Sequence, residues 1–107
     1  MPRQIDAAEL AERLAQKEPV YLVDVRQPWE HQICALPGSV LIPLDELQAR
    51  ADEIRPPEGA LVVTYCHHGV RSLHAAAFLE HIGIAAVSLA GGMDHWAIAI
   101  DPDVPRY

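Results

Sequence analysis

Residues 61–72 read Leu-Val-Val-Thr-Tyr-Cys-His-His-Gly-Val-Arg-Ser, and this stretch constrains the fold more than any other. The apolar, β-branched run from Leu61 to Tyr65 predicts a strand buried on both faces. An alanine-rich segment that begins at Ser72 and ends near Gly83 predicts a helix. Cys66 is therefore predicted to lie at the carboxyl end of a strand, in a loop that leads into a helix.

The rest of the chain continues this alternation of strands and helices. Short apolar runs predict further strands at residues 20–25, 39–42 and 86–89. The remaining segments predict helices over residues 7–17, over a short segment from Pro28, over residues 44–54 and around His95-Trp96. Strands that alternate with helices through short connections predict an α/β domain with a mainly parallel sheet. In such sheets, ligands bind beyond the carboxyl ends of the strands, where Cys66 is expected.

The first of these helices has a typical N-terminal sequence. Asp6 has the side chain of an N-cap, and Glu9, three residues later, resembles the second member of a capping box. Leu10 and Leu14 then form an apolar stripe that continues to about Lys17.

Length and composition indicate one globular domain over residues 1–107. Half of the residues are hydrophobic and 21% are charged, which is typical of soluble proteins. No apolar stretch approaches the roughly 20 residues that a membrane span requires. The N-terminus lacks the pattern of a secretory signal, so we expect a cytoplasmic location.

The formal net charge is −7, from 15 acidic and 8 basic residues. Nucleic acids and anionic membranes are bound by basic surfaces, so we expect neither as the main partner. An anionic substrate would have to be attracted by a local positive site, because the field of the whole molecule repels it.

The loop that follows Cys66 has the features of an anion-binding site. Since it precedes a helix, unpaired backbone N–H groups and the positive end of the helix dipole point towards it. Gly69 permits several amides to turn inward, and Arg71 adds a permanent charge that suits an oxyanion. We therefore expect Cys66 to be largely thiolate at neutral pH and to act as a nucleophile. A cysteine buried only for packing is the alternative, but it does not explain Gly69 and Arg71.

The same loop resembles the active-site loop of rhodanese domains, whose pattern is Cys-x-x-Gly-x-Arg-Ser. Other segments of the chain are similar to that family, in the same order. They are Asp24-Val25-Arg26 with Glu30, Leu36-Pro37-Gly38-Ser39 followed by Ile42-Pro43, and Gly91-Gly92-Met93-Asp94-His95-Trp96. The resemblance covers nearly the whole chain and implies a five-stranded parallel sheet with helices on both faces.

The resemblance also implies an activity, the transfer of a sulfane sulfur. Cys66 would attack the outer sulfur of a donor such as thiosulfate and become a persulfide. A thiol, cyanide or a sulfur-carrier protein would then accept the sulfur, and no metal or organic cofactor is implied. The residues implied to bind the substrate are the rest of the loop, His67, His68, Gly69, Val70, Arg71 and Ser72.

The tail from Ile100 to Tyr107 is similar to the end of rhodanese domains that are attached to adenylyltransferases. Those adenylyltransferases activate sulfur-carrier proteins, so the similarity implies an acceptor of that type. A free-standing enzyme that handles thiosulfate is the other interpretation.

The length of the loop between Cys66 and Arg71 bears on the choice between sulfur transfer and phosphate chemistry. Protein phosphatases of similar fold have five residues between cysteine and arginine, whereas four separate Cys66 from Arg71. By analogy with the family, the shorter loop suits one sulfur atom better than a tetrahedral phosphate. A phosphatase or arsenate reductase is therefore the weaker alternative, and a non-catalytic regulatory module is another.

Other polar residues have simpler interpretations. His67 and His68 suggest a metal site, but zinc needs three or four converging ligands and adjacent side chains point apart. We expect both histidines to shape the pocket mouth and to tune its charge. Asp24 and Arg26 are interpreted as supporting residues that form a structural network with Glu30, in preference to a direct role in the reaction.

Cys34 and the tryptophans complete the set of candidates. Cys34 departs from the family, which usually has glycine and histidine in this segment. We expect a buried or half-exposed thiol, and a disulfide with Cys66 is the open alternative. Trp29 and Trp96 are expected to be core or loop-anchoring aromatics.

Overall fold

The apolar runs form one five-stranded parallel sheet in the computed structural model, which describes residues 3–107. Its strands are β1 (Arg3–Ile5), β2 (Val20–Asp24), β3 (Val40–Leu41), β4 (Leu61–Tyr65) and β5 (Ala86–Leu89). Their order across the sheet is β1-β5-β4-β2-β3, and every pairing is parallel. The strand before Cys66 is therefore the central one, and the predicted sheet is confirmed. Met1 and Pro2, at which the expected domain begins, lie outside the described residues.

Helices cover both faces of this sheet. They are α1 (Ala7–Ala15), α2 (Pro28–Ile33), α3 (Leu47–Arg50), α4 (Val70–His81) and α5 (Gly92–Ala99). Adjacent residues of β4 point to opposite faces, as the pleat of a strand requires. Val63 packs in a core that includes residues of α1 and α5. Val62 packs in a second core that includes residues of α3 and α4.

Several predicted boundaries were wrong. The strand β1 was not predicted from local sequence, because Ile5 is its one apolar residue. The helix predicted over residues 44–54 is α3 flanked by two short 3-10 segments, Leu44–Glu46 and Ala51–Glu53. The helix α4 begins at Val70, before the predicted start at Ser72, because Gly69 in the left-handed region already turns the chain into the helix.

The end of α1 also has a local cause. Lys17 has a φ of 58°, the left-handed conformation that ends many helices. Its N–H donates to the carbonyl of Leu14, and that of Glu18 donates to the carbonyl of Arg13. Across residues 3–107, every helix is too short or too polar to cross a bilayer.

Candidate active site

Cys66 follows β4 directly and is buried, with 1% of its surface exposed. Its Sγ accepts hydrogen bonds from the backbone N–H of Gly69 at 3.0 Å and from that of Ser72 at 3.4 Å. The hydroxyl of Ser72 lies 3.5 Å from the same sulfur and 2.7 Å from the hydroxyl of Ser88. The loop therefore directs two backbone N–H donors at the sulfur.

Gly69 makes this arrangement sterically feasible. Its φ of 100° lies in a region that side chains disfavour, and it directly precedes the first residue of α4. A Cβ at this position would lie 3.1 Å from the backbone nitrogen of Gly91. Glycine therefore lets the loop pass close to the start of α5 without strain or displacement of the backbone.

The start of α5 supports the loop from the other side. The N–H of Met93 donates to the carbonyl of Cys66 at 2.8 Å, and that of Asp94 donates to the carbonyl of His67 at 3.0 Å. A Cβ on Gly92 would overlap both of these carbonyl groups. The Gly91-Gly92 pair was expected only from its place in the sequence pattern, whereas in the structure Gly92 lets α5 hold the loop that contains Cys66.

A cavity of about 360 Å³ opens above Cys66. Its lining residues are Trp29, Glu30, Cys66, His67, His68, Val70, Arg71 and Tyr107. Most of the predicted loop residues thus share one pocket, whereas Gly69 and Ser72 contact the sulfur through their N–H groups. Val70 and Trp29 are 62% and 58% exposed and form an apolar rim. Trp29 is therefore not a core residue, in contrast to Trp96, which is buried.

Arg71 lies at the pocket, but its charge is balanced. Its guanidinium donates to both carboxylate oxygens of Glu30, at 2.6 and 2.9 Å. The side chain of Glu30 is only 4% exposed. Burial acts to raise the pKa of Glu30, but the hydrogen bonds from Arg71, from the N–H of Gln27 and from Tyr107 outweigh it and lower that pKa to about 2. The pocket thus contains an ion pair where sequence reasoning expected a free cation.

Asp24 and Arg26 lie beneath the pocket and do not line it. Both are fully buried, and the guanidinium of Arg26 donates to the two carboxylate oxygens of Asp24 at 2.8 and 2.7 Å. Arg26 also donates to the hydroxyl of Tyr107 at 2.9 Å, and that hydroxyl donates to Glu30 at 2.7 Å. The expected network with Glu30 is present, and Tyr107 connects its two halves.

Tyr107 was missed as a site residue. The distance along the chain from Glu30 to Tyr107 is 77 residues, so local patterns carry no signal of their contact. The similarity of the tail to family members was the one available hint. In the structure, the Tyr107 ring lies 4.0 Å from the ring of His67, measured between centroids.

The two histidines of the loop differ in environment. Burial lowers the pKa of His67, and the neighbouring His68 lowers it further, so His67 is neutral at pH 7. Its Nδ1 is buried and has no hydrogen-bond partner within residues 3–107. His68 is 65% exposed at the pocket mouth, with its Nδ1 4.0 Å from a carboxylate oxygen of Asp94. The described residues contain no cluster of three or more side chains suited to hold a metal ion.

Cys34 lies outside the pocket. Its thiol is half-buried and lies 3.6 Å from the carbonyl oxygen of Pro105. Its own carbonyl accepts a hydrogen bond from Arg26 at 2.6 Å. Cys34 and Cys66 are both free thiols, so the disulfide alternative is not what the structure contains.

Known proteins resemble this chain over most of its length. The family model described as "Rhodanese-like domain" matches residues 6–99. A sulfurtransferase from Allochromatium vinosum is 39% identical over 98 residues, which are 91% of this chain and 90% of that protein. The adenylyltransferase and sulfurtransferase uba4 from Ogataea parapolymorpha is 35% identical over 97 residues. Those residues are 90% of this chain but only 25% of that protein, so the chain spans about a quarter of it.

A solved structure of another protein has a similar fold over most of this chain. The human single-domain sulfurtransferase TSTD1 superposes with a TM-score of 0.78 at 26% identity. The match covers 92% of this chain and 98% of that one.

Proposed function

Because the chain belongs to the family of rhodanese-like domains, we propose that it is a sulfurtransferase that carries a sulfane sulfur as a persulfide on Cys66. The observation that carries this proposal is the pair of N–H groups, from Gly69 and Ser72, that donate to the Cys66 sulfur at the base of an open pocket. A sulfurtransferase relative of nearly the same length also supports it.

The reaction needs two displacements at sulfur. In the first, the Cys66 thiolate attacks the outer sulfur of a donor such as thiosulfate. The donor's S–S bond breaks, and sulfite leaves with the electron pair. In the second, an acceptor takes the outer sulfur of the persulfide, and the thiolate is regenerated. The loop N–H groups donate to the sulfur throughout, which is how preorganised dipoles usually assist catalysis.

The acceptor is proposed to be a thiol or a sulfur-carrier protein, with cyanide as its substitute in an assay. The relative named adenylyltransferase and sulfurtransferase, together with the tail that ends in Tyr107, favours the protein acceptor. We further propose that residues 1–107 act as one domain in the cytoplasm, where reducing conditions keep a thiol available.

Phosphate chemistry is disfavoured by the charge of the pocket. A phosphatase arginine must bind a phosphoryl group, but two donors and the charge of Arg71 are committed to Glu30. A non-catalytic module is disfavoured because Cys66 and the donors around it are all present.

The proposal predicts a labile sulfur adduct on Cys66. After incubation with thiosulfate, intact-mass measurement is expected to show a gain of one sulfur atom, which cyanide then removes. Cys34→Ser is the matched control, because Cys34 lies outside the pocket, and it is expected to retain the adduct. Cys66→Ser is expected to lose the adduct and the thiosulfate:cyanide activity.

Two results would contradict the proposal. One is thiosulfate:cyanide activity that survives in Cys66→Ser. The other is the absence of any adduct from any donor, together with hydrolysis of an aryl phosphate that depends on Cys66, which would favour the phosphatase alternative.

A further inference from the structure

The charges that line the Cys66 pocket cancel each other. Glu30 contributes a carboxylate and Arg71 a guanidinium, and they form an ion pair with two hydrogen bonds. Trp29, Val70 and Tyr107 contribute aromatic or apolar surface. A donor that enters this pocket therefore meets no uncompensated positive charge other than what its histidines supply.

The Glu30 carboxylate is held firmly in this position. One oxygen accepts from the N–H of Gln27 at 3.0 Å, and the other accepts from the hydroxyl of Tyr107 at 2.7 Å. Glu30 is the third residue of α2, in a capping box that fixes its side chain. It therefore cannot move away from Arg71 without breaking several buried hydrogen bonds.

We propose that this pocket selects organic persulfides over the thiosulfate dianion as sulfur donors, and that Glu30 is the residue that sets this preference. The inference rests on the proposed function and specifies its substrate class. A dianion beside the Cys66 thiolate is repelled unless a free cation compensates it, because charges interact strongly in a partly desolvated site. The Glu30 carboxylate removes that compensation.

The apolar rim of the pocket favours donors that have an organic group. Trp29 and Val70 are mostly exposed, and the Tyr107 ring lies edge-on to that of Trp29 with centroids 5.7 Å apart. The organic group of a persulfide R–S–SH can pack against these side chains, whereas thiosulfate has no such group. The Cys66 thiolate attacks the outer sulfur, the S–S bond breaks, and the thiolate RS⁻ leaves with the electron pair while the proton stays on the transferred sulfur.

The test compares two donors in single turnovers. Second-order rate constants for formation of the Cys66 persulfide are measured with thiosulfate and with the persulfide of N-acetylcysteine methyl ester, whose organic part is uncharged. In Glu30→Gln, the amide oxygen can still accept from Arg71, but the negative charge is gone. In this variant, the ratio of the rate constant for thiosulfate to the rate constant for the organic persulfide is expected to rise about tenfold.

Glu53→Gln is the matched control. Glu53 is also paired with an arginine, through hydrogen bonds of 2.9 Å from Arg50, but it lies on the surface away from the pocket. The variant makes the same change in net charge, so its donor ratio is expected to equal that of the unmodified protein. Equal ratios in all three proteins would overturn the proposal.

A second variant changes a residue that is not part of the hydrogen-bonded network around Glu30. Trp29→Ala changes an exposed rim residue and is expected to slow transfer from the organic persulfide more than transfer from thiosulfate. An equal effect on both donors would contradict the role of the rim. If neither donor modifies Cys66 in the unmodified protein, the proposed function itself fails, and that outcome is distinct from a wrong donor preference.

Discussion

At the scale of single residues, the geometry of the Cys66 loop depends on glycine, which has no side chain. Gly92, with a φ of 61°, brings the backbone of α5 against the carbonyl groups of Cys66 and His67. The hydrogen bonds from Met93 and Asp94 then fix the orientation of both peptide groups. The positions of the loop donors around the sulfur therefore depend on a residue that does not line the pocket.

Gly92→Ala is expected to misplace the loop. The new Cβ overlaps the Cys66 and His67 carbonyl groups, so the loop must move, and a displacement of about 1 Å at a reacting atom can lower the rate about 100-fold. The measurement is the rate of persulfide formation, together with the thermal midpoint.

Gly59→Ala is the control for backbone strain. Gly59 also has a positive φ, of 82°, but a Cβ there meets no atom within 4 Å. Both variants therefore incur the left-handed penalty of about 1–2 kcal/mol, and only Gly92→Ala adds a clash. Equal activity in the two variants would show that the contact with α5 does not orient the loop.

At the scale of elements, the N-termini of helices have different tasks. At the start of α4, the N–H groups of the N-cap Gly69 and of Ser72 donate to the Cys66 sulfur. At the start of α5, the N–H groups of Met93 and Asp94 donate to carbonyl groups of the same loop. The N-terminus of α1 is capped by its own chain, since the Asp6 side chain accepts from the N–H of Glu9 at 2.8 Å. This hydrogen bond confirms the predicted cap residue. The Glu9 side chain, which was expected to complete a capping box, instead accepts a hydrogen bond from Arg13.

Asp6→Ala is expected to destabilise the domain by about 1 kcal/mol, the usual loss when an N-cap acceptor is removed. Asp6→Asn keeps an oxygen acceptor and is expected to retain most of that stability. Urea unfolding measures both. A loss in Asp6→Asn as large as that in Asp6→Ala would mean that the charge of Asp6, and not its hydrogen bond, stabilises α1.

At the scale of the whole molecule, one buried polar network joins separate parts of the chain. Asp24 ends β2, Arg26 follows it, Glu30 belongs to α2, Arg71 belongs to α4, and Tyr107 comes from the tail. Their hydrogen bonds run without interruption from Asp24 to Arg71. Within this network Glu30 accepts from Arg71 and Tyr107, and these hydrogen bonds favour its ionised form.

Lowering the pH is therefore expected to reduce the free energy of unfolding, because Glu30 becomes protonated. The pKa of Glu30 is about 2 in the folded state, below its usual value of 4.5, so its contribution is fully present above 4.5 and is lost as the pH falls towards 2. The contribution at neutral pH is on the order of 3 kcal/mol. The measurement is the free energy of unfolding of the unmodified protein and of Glu30→Gln across this range.

The difference between the two proteins is expected to shrink at low pH. A difference that stays constant from neutral pH down to about pH 2 would mean that Glu30 contributes through packing and not through its charge.

The sequence alone determined the alternation of elements, the parallel sheet and the position of Cys66 between β4 and α4. These features follow from apolar periodicity and from glycine and proline signals, which act between neighbours in the chain. The edge strand β1 was absent from that prediction, because its three residues form a strand only by pairing with β5.

Only the tertiary structure decided which charges and side chains lie around Cys66. Arg71 is 41 residues from Glu30 in the chain, and Tyr107 is 81 residues from Arg26. No local pattern records such pairings, because they form when separate elements pack on one sheet. The sequence therefore indicated a thiolate with an arginine beside it, whereas packing converted that arginine into half of an ion pair.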